Sequence, residues 1–357
     1  MKKKVAISTF VDWTSYGSML QAVGLQYILK KIGILPKIIV YKNIMNKSPI
    51  KKPRMLNVPG YIVYRYKMHH KNEFVLCKKR GLAFIDKHLE IEMYESYEDL
   101  KRKPPIVDVY ISGSDQVWNP LVCREDFFLN YVPNGKKRIS YAASMGVLQI
   151  PKDKNSNFQR LIRNFDAISV REQDMSNVIQ KYTDVKLTRN IDPTFLIPCA
   201  VWKGFENIYD IRKPFILVYA IYWDKKYNRD LISLHKKTGL DIVCIQNSYR
   251  NIYANRRLFD VGPAEFIWLI DKAEAVITSS FHGCAFSLIF NKMFTPIINP
   301  DAPSRIENLL NEFEIHSTPD IVDVTSFEYD YEAINKHIDA ERDRSVSYLK
   351  REIIDEG

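Results

Sequence analysis

The stretch KKVAISTF, residues 3–10, is short, apolar and β-branched, and it predicts a strand. YGSMLQAVGLQYILKKIG follows, with Leu20, Val23, Leu25, Ile28, Leu29 and Ile32 near helical spacing and Gly33 closing the run. PKIIVY reads as the next strand, and strand, helix, strand at this spacing is a βαβ unit with parallel pairing. After a basic stretch the alternation resumes in IVDVYISG (106–113), KRISYAAS (137–144) and DAISV (166–170), with a helix around 153–164 and another opening near Arg171. NIDPTFLIPCAVW, with two prolines, reads as a junction between domains.

The second half repeats the logic independently. PFILVYAIY, a helix near 227–238, DIVCI, a helix opening after VGPAEF, AEAVITS, a helix after ITSSFHG, MFTPII and a helix after Ser304 succeed one another. Residues 326–352 are charged and helix-compatible without strands, and there is no internal repeat or low-complexity tract. The pattern predicts an α/β fold: two Rossmann-like, doubly wound domains facing a cleft, over 1–192 and 193–325, with a C-terminal helical tail over 326–357. In such sheets ligands bind outside the carboxyl ends of the strands.

Length agrees, since 357 residues exceed one ordinary core. No apolar stretch approaches the roughly 20 residues of a membrane span, and the apolar run after Met1-Lys2-Lys3-Lys4 is too short for a signal peptide, so a cytoplasmic location is expected. Five scattered cysteines without CxxC spacing argue against a disulfide framework or a zinc site, and the seven histidines form no HExxH-like grouping. No metal site is expected. Charge, by contrast, is concentrated: residues 42–80 hold eleven of the 52 Lys and Arg but one of the 42 acids, Glu73, so this segment alone accounts for the chain's net charge of +10. Its bases are interleaved with Tyr61, Tyr64, Tyr66 and Phe74, a mixture suited to a solvated face, an anionic membrane surface or a phosphorylated acceptor. No RNA-binding signature accompanies it, and no nucleic-acid partner is expected.

Polar clusters recur where strands give way to helices: DWTSYGS with Tyr16 and Ser18, SGSDQVWN with Ser114, Asp115 and Gln116, SMG at 144–146, SVRE with Arg171 and Glu172, and SSFHG with Ser279, Ser280, His282 and Gly283. Hydroxyls, glycine and charge at helix starts favour anions. Each has a plainer reading: His282 as a buried ring held by a carbonyl, Gly283 as a close-packing residue, Arg171 paired with Glu172 or a nearby acid, Asp192 as a turn residue, Trp118 as a core anchor. GxGxxG, GxxxxGK[ST] and GxSxG are absent, which weakens dinucleotide, ATP and serine-hydrolase readings.

SGSDQVWNP, ISYAASMG, ISVRE, IDPTFLI, VGPAEF and ITSSFHGCAFSLIFNKMF, in that order, resemble the polysaccharide pyruvyl transferase family. The resemblance implies a GT-B-like fold and an enzyme that takes phosphoenolpyruvate as donor. Pyruvate is then attached as a ketal to two hydroxyls of one sugar, in a bacterial surface glycan or its lipid-linked precursor. It also implies that Arg171 and His282 handle the donor. Many members carry Arg-Leu-His-Gly where this chain has Ser280-Phe281-His282-Gly283, so Arg305 or Lys292 would substitute for the missing arginine. On this reading His282 sits at the phosphate and Arg171 grips carboxylate or phosphate. Ser279, Ser280, Gly283, Ser114 and Gln116 complete the donor site, Asp115 or Glu172 serves as acid or base, and Tyr16, Ser18 and Glu172 meet the acceptor. No organic cofactor and no metal are expected beyond phosphoenolpyruvate. The basic segment, placed in the N-terminal acceptor-side domain, would bring the enzyme to a lipid-linked acceptor at the inner face of the membrane. The alternatives are a GT-B glycosyltransferase using a nucleotide sugar and a non-enzymatic basic protein that binds glycan or membrane.

Overall fold

The structure is a computed structural model that describes residues 2–50, 58–147, 149–245, 252–300 and 304–355; Lys51, Lys52 and Arg54 of the basic segment lie outside the described residues. Two compact units divide the chain.

In the first unit, β1 (Lys4–Ser8), β2 (Leu35–Tyr41), β3 (Ile91–Tyr94), β4 (Val109–Ser112) and β5 (Lys137–Ser140) form a parallel sheet in the order β3-β2-β1-β4-β5. β6 (Ile168–Val170) and β7 (Leu187–Arg189) pair with each other and continue this order, because Ser140 N donates to Ala167 O at 3.0 Å and Ala143 N to Ser169 O at 3.1 Å. β1 and β4 are buried along almost their whole length, as strands covered on both faces must be. The Tyr16–Lys31 helix is buried on nearly all sides and seats on the Pro193–Leu196 turn through Gly24, where a Cβ would lie 2.2 Å from Pro193 O. Only glycine fits there.

The second unit has β8 (Phe215–Tyr219), β9 (Asp241–Ile245), β10 (Arg256–Leu258), β11 (Ala275–Thr278) and β12 (Met293–Pro296), all parallel, in the order β10-β9-β8-β11-β12. Strand order reverses between β1 and β4 in one sheet and between β8 and β11 in the other. These are the topological switch points, where open α/β sheets bind ligands.

The division of the chain differs from the sequence expectation in two places. Residues 47–84, which take in all of the basic segment but its first five positions, belong to the second unit. Arg80 Nη1 donates to the Asp260 carboxylate and carbonyl at 2.8 Å, Cys77 Sγ donates to Val261 O at 3.2 Å, and the His70 ring stacks on Phe259 at 3.8 Å. The C-terminal helix Tyr331–Ile353 is likewise no separate tail, because residues 335–357 belong to the first unit. There the Ser345 hydroxyl accepts from Asn190 Nδ2 and Ile191 N at 3.2 Å, and the Tyr348 hydroxyl donates to Ser140 O at 2.9 Å. The chain passes between the units at Asn46–Lys47, at Phe84–Ile85, at Ile197–Pro198, five positions beyond the expected boundary, and at Ile334–Asn335.

Candidate active site

At the second unit's switch point the chain leaves β11 through Thr278, whose hydroxyl donates to Tyr219 O of β8 at 2.6 Å and accepts from Ser280 N at 3.1 Å. Ser280 caps the Phe281–Ile289 helix, its hydroxyl accepting from Gly283 N at 3.3 Å. That same hydroxyl bonds the Tyr219 phenol, which burial pushes up to about 12 against the lowering effect of this bond. Gly283 faces Thr278 so closely that a Cβ would stand 2.2 Å from Thr278 Oγ1. Helix and strand therefore touch at their backbones, which makes the glycine a packing residue rather than a ligand group. His282 lies in the helix's first turn, 7% exposed, with its ring edge-on to Phe281 at 5.1 Å. The positive end of the helix dipole surrounds it.

Two expected members of a donor site have other work. The Ser279 hydroxyl accepts from Ile221 N and Tyr222 N and donates to Tyr222 O, each at 2.8 Å. One proton and two lone pairs exhaust a hydroxyl, so Ser279 latches the loop after β8 instead of meeting a phosphate. Lys292 lies beyond the far end of the nine-residue Phe281–Ile289 helix, roughly 13 Å long, and cannot stand in for an arginine beside His282. Burial lowers its pKa against the raising fields of Asp271 and Glu274. Arg305 lies in the first turn of the Ser304–Glu312 helix, which follows β12 in the chain.

The first unit's switch point holds Asp115. Gly113 N donates to Ser8 O and the Thr9 hydroxyl to Ser114 O, both at 2.9 Å, tying the ends of β1 and β4 together. Asp115 follows with φ 71°, and Ala142, beyond the neighbouring β5, has φ 46°. Two non-glycine residues in the left-handed region at adjacent strand ends mark stored backbone strain of the kind that gathers at functional sites. The Asp115 carboxylate receives no hydrogen bond from a described residue and stands half-buried.

Behind it lies a buried ionic network. Arg171 Nε donates to Glu172 Oε1 and Nη1 to Asp192 Oδ2, both at 2.8 Å, with side-chain exposures of 4, 7 and 1% for Arg171, Glu172 and Asp192. The Ser144 hydroxyl adds a 3.0 Å bond to Glu172, and Asp192 Oδ1 accepts from Thr194 N and Oγ1. Burial works to lower the Arg171 pKa, but Glu172, Asp192 and Asp115 outweigh it and hold the guanidinium above its ordinary range. Its charge is already met twice over. Arg171 thus takes the plainer of its two readings, and Asp192, read as a turn residue, is both a turn cap and the partner of Arg171.

The remaining expected contacts are also internal. Ser114, fully buried, donates to Ala142 O at 2.9 Å and lies 3.3 Å from Asp192 Oδ2. Gln116 packs against Gly146, whose absent Cβ would be 2.5 Å from the Gln116 side-chain carbon. Tyr16 is a core residue, and the buried Ser18 hydroxyl donates to Ser15 O at 3.0 Å in the first turn of the Tyr16–Lys31 helix. Sequence reasoning missed a cavity of about 130 Å³ at the carboxyl ends of β1 and β2, lined by Asp12, Tyr41, Arg124, Asp126 and Phe127 among others. There Arg124 pairs with Asp126 through two bonds, at 3.1 and 2.5 Å, and lies over the Phe127 ring at 4.1 Å. A larger cavity, about 550 Å³, lies at the opposite, amino-terminal strand edge beside Lys4, Leu35 and Lys37, away from both switch points.

Residues 16–301 match the family model described as polysaccharide pyruvyl transferase. The chain belongs to that family. The matched span of this polysaccharide pyruvyl transferase takes in Asp115, Arg171 and His282. Among solved structures it is similar to a putative UDP-N-acetylglucosamine 2-epimerase from Listeria monocytogenes, with a TM-score of 0.53, 10% identity, and 98% of this chain and 96% of that one covered. It is also similar to the UDP-GlcNAc 2-epimerase from Neisseria meningitidis bound to UDP-GlcNAc, with a TM-score of 0.51, 10% identity and 99% of each chain covered. At such identities the likeness establishes the fold, the GT-B type built on two Rossmann-like sheets. No curated protein matches the chain.

Proposed function

We propose that this polysaccharide pyruvyl transferase takes pyruvate from phosphoenolpyruvate and closes it as a ketal on two hydroxyls of one sugar, in a surface polysaccharide or its lipid-linked precursor. The observation that carries the reading is the family match together with the placement of His282, in the first turn of a helix entered from a switch-point strand. A helix start with an imidazole suits a phosphate ester, whose charge both the dipole and a protonated ring favour. The first unit is different in kind. Arg171 is neutralised there by two carboxylates, and with Asp115 the cluster is net acidic, which disfavours a dianionic donor and favours sugar hydroxyls.

In the proposed reaction the methylene carbon of phosphoenolpyruvate gains a proton, leaving a cationic carbon beside the carboxylate. One sugar hydroxyl adds to that carbon and gives its proton to Asp115. Phosphate departs with a proton from His282, and the second hydroxyl closes the ring with loss of its own proton. Two protons are consumed, on carbon and on phosphate, and two are released by the hydroxyls. The reaction calls for no cofactor beyond the donor. Arg171 is a positioning residue that holds Glu172 and Asp192, and the cavity lined by Tyr41, Arg124 and Asp126 offers the acceptor an aromatic wall and a carboxylate.

The test is incubation with carbon-labelled phosphoenolpyruvate and a panel of lipid-linked saccharides, alongside thermal shift. Label in the saccharide, equimolar phosphate, and stabilisation by phosphoenolpyruvate are expected. Stabilisation by a nucleotide sugar alone would replace this reading with glycosyl transfer.

A further inference from the structure

The basic segment folds as two helices, Val58–His69 and Lys71–His88. Their inner faces are fixed on the second unit. His70 stacks on Phe259, Tyr66 and Phe74 lie at 5.8 Å from the same ring, and Arg80 pairs with Asp260 and Glu265. What remains outside is a regular stripe on each helix. On the first, positions 61, 62, 65, 68 and 69 are exposed, the spacing of one helical face, and they read Tyr, Ile, Arg, Met, His. On the second, the exposed positions 71, 72, 75, 76, 79, 83, 86 and 87 read Lys, Asn, Val, Leu, Lys, Ala, Asp, Lys, so one acid, Asp86, stands among three lysines. Tyr61 and Ile62 are 52 and 53% exposed, Val75 47%, and Met68 and Leu76 38%. Large apolar side chains left in water in this number, interleaved with cations, are out of place on a face that meets only solvent. Across both helices seven Lys and Arg stand against two acids, Glu73 and Asp86.

We infer that these two stripes dock the enzyme on an anionic lipid bilayer. Tyr, Ile, Met, Val and Leu would enter the headgroup boundary while Arg65, Lys71, Lys79 and Lys87 meet lipid phosphates, their stems lying along the apolar surface. A second copy of the chain is a poorer occupant, because a self-complementary contact would set cation against cation. No described helix is long and apolar enough to cross a membrane, so the contact is peripheral.

The experiment is sedimentation of the full chain with vesicles of phosphatidylcholine alone or mixed with phosphatidylglycerol, at low and high salt. Binding to the mixed vesicles is expected to exceed binding to neutral ones by about tenfold or more and to fall with salt. Each base lost should weaken it about fivefold, so Arg65→Glu/Lys71→Glu/Lys79→Glu should cost roughly a hundredfold or more. Ile62→Ser/Leu76→Ser should weaken it while the salt dependence persists. All five positions are solvent-exposed, and unchanged melting temperatures would certify that these variants fold; single Lys79→Glu is the milder check. Equal binding to neutral and anionic vesicles, or indifference to charge reversal, overturns the inference. So does a concentration-dependent dimer abolished by Ile62→Ser, which would give the face to a second copy. No donor or acceptor enters the assay, so its outcome is independent of the proposed reaction.

Discussion

Replacing Arg171 by methionine distinguishes a structural guanidinium from a donor-gripping one. Methionine keeps the length and apolar stem but removes the charge, leaving Glu172 and Asp192 buried at 7 and 1% side-chain exposure without their shared cation. Removing one partner of a buried ion pair costs about 3–5 kcal/mol, and two carboxylates lose a partner here, which places the expected loss at the upper end of that range. For a folding unit of this size each kcal/mol moves the melting temperature by about 2–4 °C, so a fall of roughly 10–20 °C is expected. Combining Arg171→Met with Asp192→Asn should recover part of it, since asparagine keeps the oxygen that caps Thr194 N and carries no charge to strand. Urea and thermal unfolding of the single and double variants read this directly. The reasoning is refuted if Arg171→Met unfolds at the wild-type temperature while KM for phosphoenolpyruvate rises and kcat holds, for then the guanidinium faces the donor after all.

Three further outcomes are expected. Asp115→Asn should leave the urea midpoint in place, because no described residue hydrogen-bonds the carboxylate, and lower kcat by about 10²–10⁴-fold, the usual worth of a positioned base; a wild-type kcat would remove it from the mechanism. Gly283→Ala drives a methyl to 2.2 Å from Thr278 Oγ1 and should destabilise the protein by about 1–3 kcal/mol, so an unmoved unfolding midpoint would contradict the packing described. Burial, aided by Asp260 and Glu265, pushes the Cys77 thiol up to about 11, so at pH 8 it stays protonated and should alkylate slowly, speeding up only as the pH climbs toward that value. Rapid labelling at pH 8 in the folded protein would show the Lys71–His88 helix unseated.

The interior strands were legible because burial on both faces writes them as unbroken apolar runs, as in PFILVY and AEAVIT. IEMY, LTR and RRL were not read as strands. They are the edge strands β3, β7 and β10, partly exposed, and their polar residues carry no such run. The division into units was misread because what decides it is distant in sequence: Arg80 meets Asp260, and Ser345 meets Asn190. The candidate site was legible as a set of strand ends, since the alternation of elements alone puts SGSD and SSFHG at carboxyl edges. Which side chains point outward was not legible. Ser279, Ser114 and Ser18 look like ligand hydroxyls in the string, yet each is consumed by backbone groups that the fold brings to it. Asp115 stands apart by a left-handed backbone that no residue letter announces.

The central claim, pyruvyl transfer with His282 at the departing phosphate, is tested most directly by following label from phosphoenolpyruvate into saccharide in wild type and His282→Asn side by side. The account predicts saccharide labelling matched by phosphate release in the wild type, and loss of about 10²-fold or more in the folded variant. Undiminished transfer by His282→Asn, or no wild-type transfer to any acceptor in the panel alongside stabilisation by a nucleotide sugar, would contradict it.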